Sequence, residues 1–209
     1  MPVSRRNRYC PGIHPLPAGP KGSRRNGAAV FLDRDGTITQ ERDYIRHPDD
    51  LHLYKRSAEA LRLLRKNGFS LVVVTNQSGV ARKYLTLGTL HRIHDKMVSL
   101  LARHGVRLDA IYYCPHHPEE RCPARKPRPG MPHRAASTLK LDLTHSYVVG
   151  DMKTDMDLAR EIGAKGVLVR TGHSWKGKDS FPVERRSRDL YSAARWIVRD
   201  FQKSQGDRT

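Results

Sequence analysis

From Ala28 to about Gly172 the chain alternates short apolar runs with longer amphipathic ones, and no other feature restricts its fold so strongly. Residues 28–33, 69–75, 108–113, 147–149 and 167–170 read as strands, being short, aliphatic and bounded by turn residues. Residues 57–67, 86–104, 131–140 and 154–162 read as helices. The second of these carries Leu90, Ile93, Met97, Leu100 and Leu101 on one face and stops at Gly105. Strand followed by helix, repeated, is the pattern of an α/β domain. The expectation is a Rossmann-like parallel sheet flanked by helices on both faces.

The flanks differ in composition. Residues 1–27 hold Pro11, Pro15, Pro17 and Pro20, six basic residues and no acidic one, and read as a disordered arm. Residues 174–209 read as a basic tail with one helix over 190–201, whose Leu190, Ala193, Ala194, Ile197 and Phe201 suit docking on the domain at 28–173. The 209 residues therefore predict one domain with trimmings. A mean hydropathy of −0.67 and strand-sized apolar runs predict no membrane insertion, since a spanning helix needs about 20 apolar residues. No apolar stretch follows the basic start, so a secretory signal is not expected. Three cysteines, Cys10, Cys114 and Cys122, suit a reducing compartment better than a disulfide framework, and the cytoplasm is the expected location. A net charge of +18 favours anionic partners without choosing among them.

The candidate chemistry lies where the strands end, which is where ligands bind in open α/β sheets. Asp33 and Asp35 follow the first strand, in Phe31-Leu32-Asp33-Arg34-Asp35-Gly36-Thr37. Two acids so close repel each other unless a cation lies between them, and Mg²⁺ is the hard, oxygen-seeking ion that suits them. Strand alternation would aim both at one side, with Arg34 turned away. Thr75-Asn76-Gln77-Ser78 follows the second strand, Arg125-Lys126-Pro127 the third, and Gly150-Asp151, with Asp155 one turn later, the fourth. This set suits phosphoryl transfer. Asp33 can attack phosphorus and Asp35 can move the proton. Asp151 would complete the Mg²⁺ site, with the Arg34 carbonyl as a further candidate. Thr75 and Lys126 can hold phosphate oxygens.

The order Asp-x-Asp-Gly-Thr, Thr-Asn, Lys and Gly-Asp-x-x-x-Asp resembles the haloacid dehalogenase superfamily of phosphohydrolases. Further stretches are similar to its small capless bisphosphate and histidinol-phosphate phosphatases. They are residues 74–82, Tyr112-Tyr113-Cys114-Pro115-His116-His117-Pro118, residues 125–131 and Val169-Arg170-Thr171-Gly172. The resemblance implies a capless fold with Asp33 as nucleophile, Asp35 as acid/base, Mg²⁺ on Asp33, Asp35 and Asp151, and Thr75 and Lys126 on the phosphoryl group. It also implies that Arg34, Glu41, Arg42, Asp43, Tyr44, Asn76, Gln77, Ser78 and Arg125 meet the rest of the substrate. The expected partner is a small phosphorylated metabolite, the C7 phosphate of a heptose 1,7-bisphosphate first and histidinol phosphate second. A polynucleotide end is less favoured, and the protein is expected to be a monomer. A non-catalytic polyanion-binding protein on the same fold is the alternative of another class.

Two positions depart from the pattern. The family's zinc loop has four ligands, whereas this chain offers Cys114, His116 and Cys122, with Ala124 at the fourth place. Structural zinc is closed and four-coordinate, so His117, Glu119, Glu120 or water would have to substitute, or the Zn²⁺ is lost. Met152 stands where the family often has a lysine, and Lys153 is the neighbour that would compensate.

Overall fold

The computed structural model describes Cys10 and residues 12–16, 27–172 and 181–206. Among them seven strands form one sheet, in the order β1-β4-β3-β2-β5-β6-β7. The strands are β1 (Gly12–His14), β2 (Ala28–Leu32), β3 (Ser70–Asn76), β4 (Ala110–Cys114), β5 (Asp142–Gly150), β6 (Lys165–Val169) and β7 (Arg185–Ser187). All neighbours run parallel except β1, which lies antiparallel on β4. The helices are α1 (Ser57–Lys66), α2 (Leu87–Arg103), α3 (Gly130–Leu139), α4 (Lys153–Glu161) and α5 (Leu190–Gly206).

The central strand explains the layering. Alternate side chains of a strand face opposite ways, so β2 feeds two cores. Ala28, Val30 and Leu32 join Leu61, Leu64, Leu90, Ile93, Met97 and Ile197, the apolar faces of α1, α2 and α5. Ala29 and Phe31 join Val72, Val74, Met131, Ala135 and Leu158 from β3, α3 and α4. All five β2 residues are buried, as expected of a parallel strand covered on both sides. No lid is inserted between β3 and Lys126 among the described residues, in keeping with a capless design.

Three expectations are corrected. The arm at 1–27 holds a strand: β1 closes one edge of the sheet, and His14 is buried with Nε2 3.0 Å from Asp95 Oδ1 of α2. Residues 1–9, 11 and 17–26 of that arm fall outside the described residues. A three-residue strand between prolines has no periodicity of its own and forms only because β4 offers it a partner. The tail is likewise part of the domain, since β7 pairs with β6 and α5 packs along α1. Finally, β5 starts at Asp142 rather than residue 147. Its first half alternates exposed and half-buried residues of which only Leu143 is apolar, so hydrophobicity alone hides it.

Candidate active site

Register brings the acids together. Leu32 of β2 pairs with Val149 of β5 on one side and Val73 of β3 on the other. Asp33 therefore leaves the sheet beside Asp151, and its N–H donates to the Val149 carbonyl at 2.9 Å. Asp155, in the first turn of α4, joins them, so that carboxylate oxygens of Asp33, Asp151 and Asp155 lie within 4.8 Å of one another, all buried. Lys126 Nζ reaches into the same cluster, 2.9 Å from Asp33 Oδ2 and 2.7 Å from Asp155 Oδ1.

Of the three buried carboxylates, Asp33 and Asp155 share this one ammonium. Burial pushes the Asp33 carboxyl up to about 6; Lys126 offsets this only in part, and Asp155 adds repulsion. Burial disfavours the charge on Lys126, but Asp155 and Asp33 more than compensate and raise its pKa. The excess negative charge and the hard oxygen donors fit Mg²⁺. The approach is close: a Cβ on Gly36, which has φ +75°, would fall 2.4 Å from Asp151 Oδ2.

Asp35 has a different place. Arg34 Nε and Nη2 donate to its two oxygens at 2.9 and 2.7 Å, Thr39 Oγ1 donates at 3.1 Å and Gln77 Nε2 at 2.9 Å. Burial raises the Asp35 pKa, but the charge and hydrogen bonds of Arg34, with Gln77 and Thr39, outweigh it and leave the carboxyl below its ordinary value. The Asp35 side chain is thus committed to this network and lies outside the Asp33–Asp151–Asp155 cluster.

Arg34 corrects the sequence expectation twice. Its guanidinium is buried against Asp35 and Gln77 Oε1 (3.0 Å), not at the substrate cavity. Its carbonyl accepts from the N–H groups of Ile38 and Thr39, both at 2.9 Å, which turns it into the loop. The strand ends at Leu32, so alternation does not carry through to Asp35. Gln77 Nε2 also donates to Thr75 Oγ1 at 2.9 Å, which joins Arg34, Asp35, Gln77 and Thr75 in one unit. Asn76 clamps the neighbouring segment instead. Its Nδ2 donates to the Lys126 carbonyl at 3.2 Å, and its Oδ1 accepts from the Lys126 N–H at 3.0 Å.

Above these groups opens a cavity of about 390 Å³. Its floor includes Asp33, Asp35, Thr75, Lys126 and Asp151, and its walls include Glu41, Arg42, Asp43, Tyr44, Asn76, Gln77, Ser78 and Arg125. Burial, followed by the charges of Asp35 and Asp33, pushes Glu41 up to about 7. Met152 also lines the cavity, whereas Lys153 pairs with Asp157 at 2.6 Å and does not take its place. Asp155, which the sequence put on the rim without a role, holds Lys126 in position. The signal was present in its i+4 spacing from Asp151.

Beside this cavity lies a second cluster. Cys114 ends β4, next to Asn76 of β3, and its sulfur lies 3.7 Å from His116 Nδ1. Cys122 joins them, and so does Cys10, so that four donor atoms lie within 4.8 Å of one another. His117, Glu119 and Glu120 form a turn of their own, with Glu120 Oε1 accepting from the His117 N–H at 2.8 Å.

Residues 123–190 match the family model described as HAD-hydrolase-like. Over 153 residues the chain is 45% identical to D-glycero-beta-D-manno-heptose-1,7-bisphosphate 7-phosphatase of Escherichia coli K12, across 69% of this chain and 80% of that one. The crystal structure of D,D-heptose 1,7-bisphosphate phosphatase from B. bronchiseptica with magnesium and phosphate superposes with a TM-score of 0.78 at 36% identity, over 83% of this chain and 99% of that chain. A HAD-like phosphatase from Mesorhizobium loti gives 0.76 at 30% identity, over 91% and 92%. The chain belongs to the haloacid dehalogenase-like family of phosphohydrolases.

Proposed function

We propose that this enzyme removes the 7-phosphate of a heptose 1,7-bisphosphate with the help of Mg²⁺. The observation that carries the chemistry is the buried Asp33–Lys126 pair, 2.9 Å apart, at the floor of an open cavity. The substrate reading is supported by the names of the relatives and by Arg42 and Arg125, two cations in the cavity wall that would meet a second phosphate.

Asp33 attacks phosphorus through its carboxylate, and the sugar alkoxide leaves as an aspartyl-phosphate forms. Lys126 neutralises charge on Asp33 and on the phosphoryl oxygens. Thr75, held by Gln77, donates to one of those oxygens. Asp35 delivers a proton to the leaving oxygen, then takes one from the water that hydrolyses the intermediate. The incoming phosphate raises the proton affinity of Asp35 by like-charge repulsion, which loads it for the first step. Mg²⁺, held by Asp33 and Asp151, would supply further charge compensation at the transferring group. The loop of Cys114, His116 and Cys122 is proposed to hold structural Zn²⁺, and the protein to work as a cytoplasmic monomer.

The test is a phosphate-release panel with heptose 1,7-bisphosphate, histidinol phosphate and a 5′-phosphorylated oligonucleotide, with Asp33→Asn as control. Release from the heptose bisphosphate by wild type and not by the variant is expected. Preference for histidinol phosphate would reassign the substrate, and equal release from both proteins would remove the mechanism.

A further inference from the structure

We propose that Cys10, from the N-terminal segment, is the fourth zinc ligand, so that one metal ion fastens β1 to the wall of the substrate cavity. The proposal rests on the zinc reading of the Cys114–His116–Cys122 loop and adds the ligand which that loop lacks.

In the antiparallel pair, Gly12 faces Tyr113, Ile13 faces Tyr112 and His14 faces Ile111. Moving back along β1 therefore moves forward along β4, and Cys10 arrives at the carboxyl end where Cys114 begins the loop. Its sulfur lies 3.8 Å from Cys114 Sγ and 2.7 Å from Cys122 Sγ. A tetrahedral ion with Zn–S near 2.3 Å and Zn–N near 2.0–2.1 Å separates its donors by about 3.5–3.8 Å. The Cys10–Cys114 and Cys114–His116 separations of 3.8 and 3.7 Å meet that requirement. The Cys10–Cys122 pair has to open by about 1 Å to do so. All three cysteines are free thiols. Ala124 is buried and has no donor atom in its side chain.

The seat of β1 does not depend on the metal. A Cβ on Gly12 would fall 2.3 Å from Tyr113 Cζ, so only glycine lets the strand cross that ring. His14 is buried and bonded to Asp95. The segment is thus presented to the loop with its thiol in place, and little ordering entropy remains to be lost on binding. On the far side of the loop, Arg125 Nη1 donates to the His116 carbonyl at 3.3 Å. The metal would thereby join the N-terminal segment to a side chain of the cavity wall.

The experiment is metal analysis combined with thiol alkylation mapped by mass spectrometry. Zinc-loaded wild type is expected to contain about one Zn²⁺ per chain, with Cys10, Cys114 and Cys122 all protected and all released together by a chelator. In Co²⁺-loaded protein, Cys10→Ser should lose about one third of the thiolate-to-metal charge-transfer absorption, and its zinc affinity should fall more than ~10-fold. Alkylation of Cys10 in a zinc-loaded protein whose other two cysteines are protected would overturn the proposal and leave the zinc reading intact. So would Cys10→Ser with unchanged zinc affinity and an unchanged cobalt spectrum. Wild type without zinc, or with a Cys10–Cys122 disulfide after purification without reductant, would overturn both. The alkylation result needs no variant, so a misfolded Cys10→Ser would not prevent the test.

Discussion

The phosphoryl centre and the Cys/His cluster lie at the same rim of the sheet, yet they are assembled in opposite ways. Thr75 lies at the end of β3, and Asp33, Lys126 and Asp151 stand in the segments that follow β2, β4 and β5; parallel register brings them together. Each has a local sequence signature. The cluster takes three donors from one loop and its fourth from a residue 104 positions before Cys114. The first kind of site survives as long as the sheet does. The second also depends on whether an edge strand stays seated. A site spread over strand ends is therefore legible from motifs, whereas a site completed by an edge segment is legible only from the pairing.

The largest expected effect tests the first half of this comparison. Asp33→Asn should lower kcat by at least ~10³-fold while leaving zinc content unchanged, measured by phosphate release and metal analysis on the same preparation. Loss of zinc along with activity would mean that the two sites are one structural unit. Next comes Arg34→Met. The bidentate partner of a largely buried carboxylate is removed, and breaking such a pair costs about 3–5 kcal/mol. A denaturant titration should show that loss, with a fall in kcat because Asp35 and Gln77 lose their common anchor. A variant of wild-type stability would mean that Asp35 has enough support from Thr39 and Gln77 alone.

The cluster should respond more mildly. Zinc removal with Mg²⁺ restored is expected to raise KM for the bisphosphate by roughly 10-fold, with kcat changed less, because the loop supports Arg125 at the cavity wall rather than Asp33. Steady-state kinetics decide this. A fall in kcat with constant KM would place the influence of the loop on the chemical step through Lys126, which follows Arg125 directly.

The same contrast accounts for what the sequence revealed. Apolar periodicity disclosed the parallel strands from β2 to β6 and helices α1–α5, because burial on both sheet faces demands it. It missed β1 and β7, which are three residues each and take their conformation from β4 and β6. Motif order singled out Asp33, Asp35, Thr75, Lys126 and Asp151, which the fold brings to one cavity. What it could not supply was side-chain direction. The chain leaves strand geometry at Asp33, so Arg34 folds back onto Asp35 instead of pointing away. Asn76 proved to hold the Lys126 backbone while lining the cavity, a partnership 50 residues apart that no local pattern encodes.

The smallest expected effect concerns the seam between the two regions. His94 of α2 is fully buried beside His14, with both ring nitrogens lacking a hydrogen-bond partner among the described residues. Burial lowers its pKa well below 6.5, and the charges of Arg34, His14 and His91 lower it further; the Tyr113 ring also packs against it. Burial likewise lowers His14, which Asp95 raises in part and His91 lowers again. A histidine whose folded pKa is depressed takes up protons more readily when unfolded. Stability is therefore full above the unfolded value near 6.5 and declines as pH falls below it. Wild type should lose stability between pH 7 and pH 5, and His94→Leu should lose less. Removing the unsatisfied ring should also stabilise the protein by about 1 kcal/mol at pH 7. Denaturant titrations at the two pH values measure both effects. Equal slopes would place the acid sensitivity on His14 and its pair with Asp95, at the edge strand that carries Cys10, and would link the seating of that strand directly to pH.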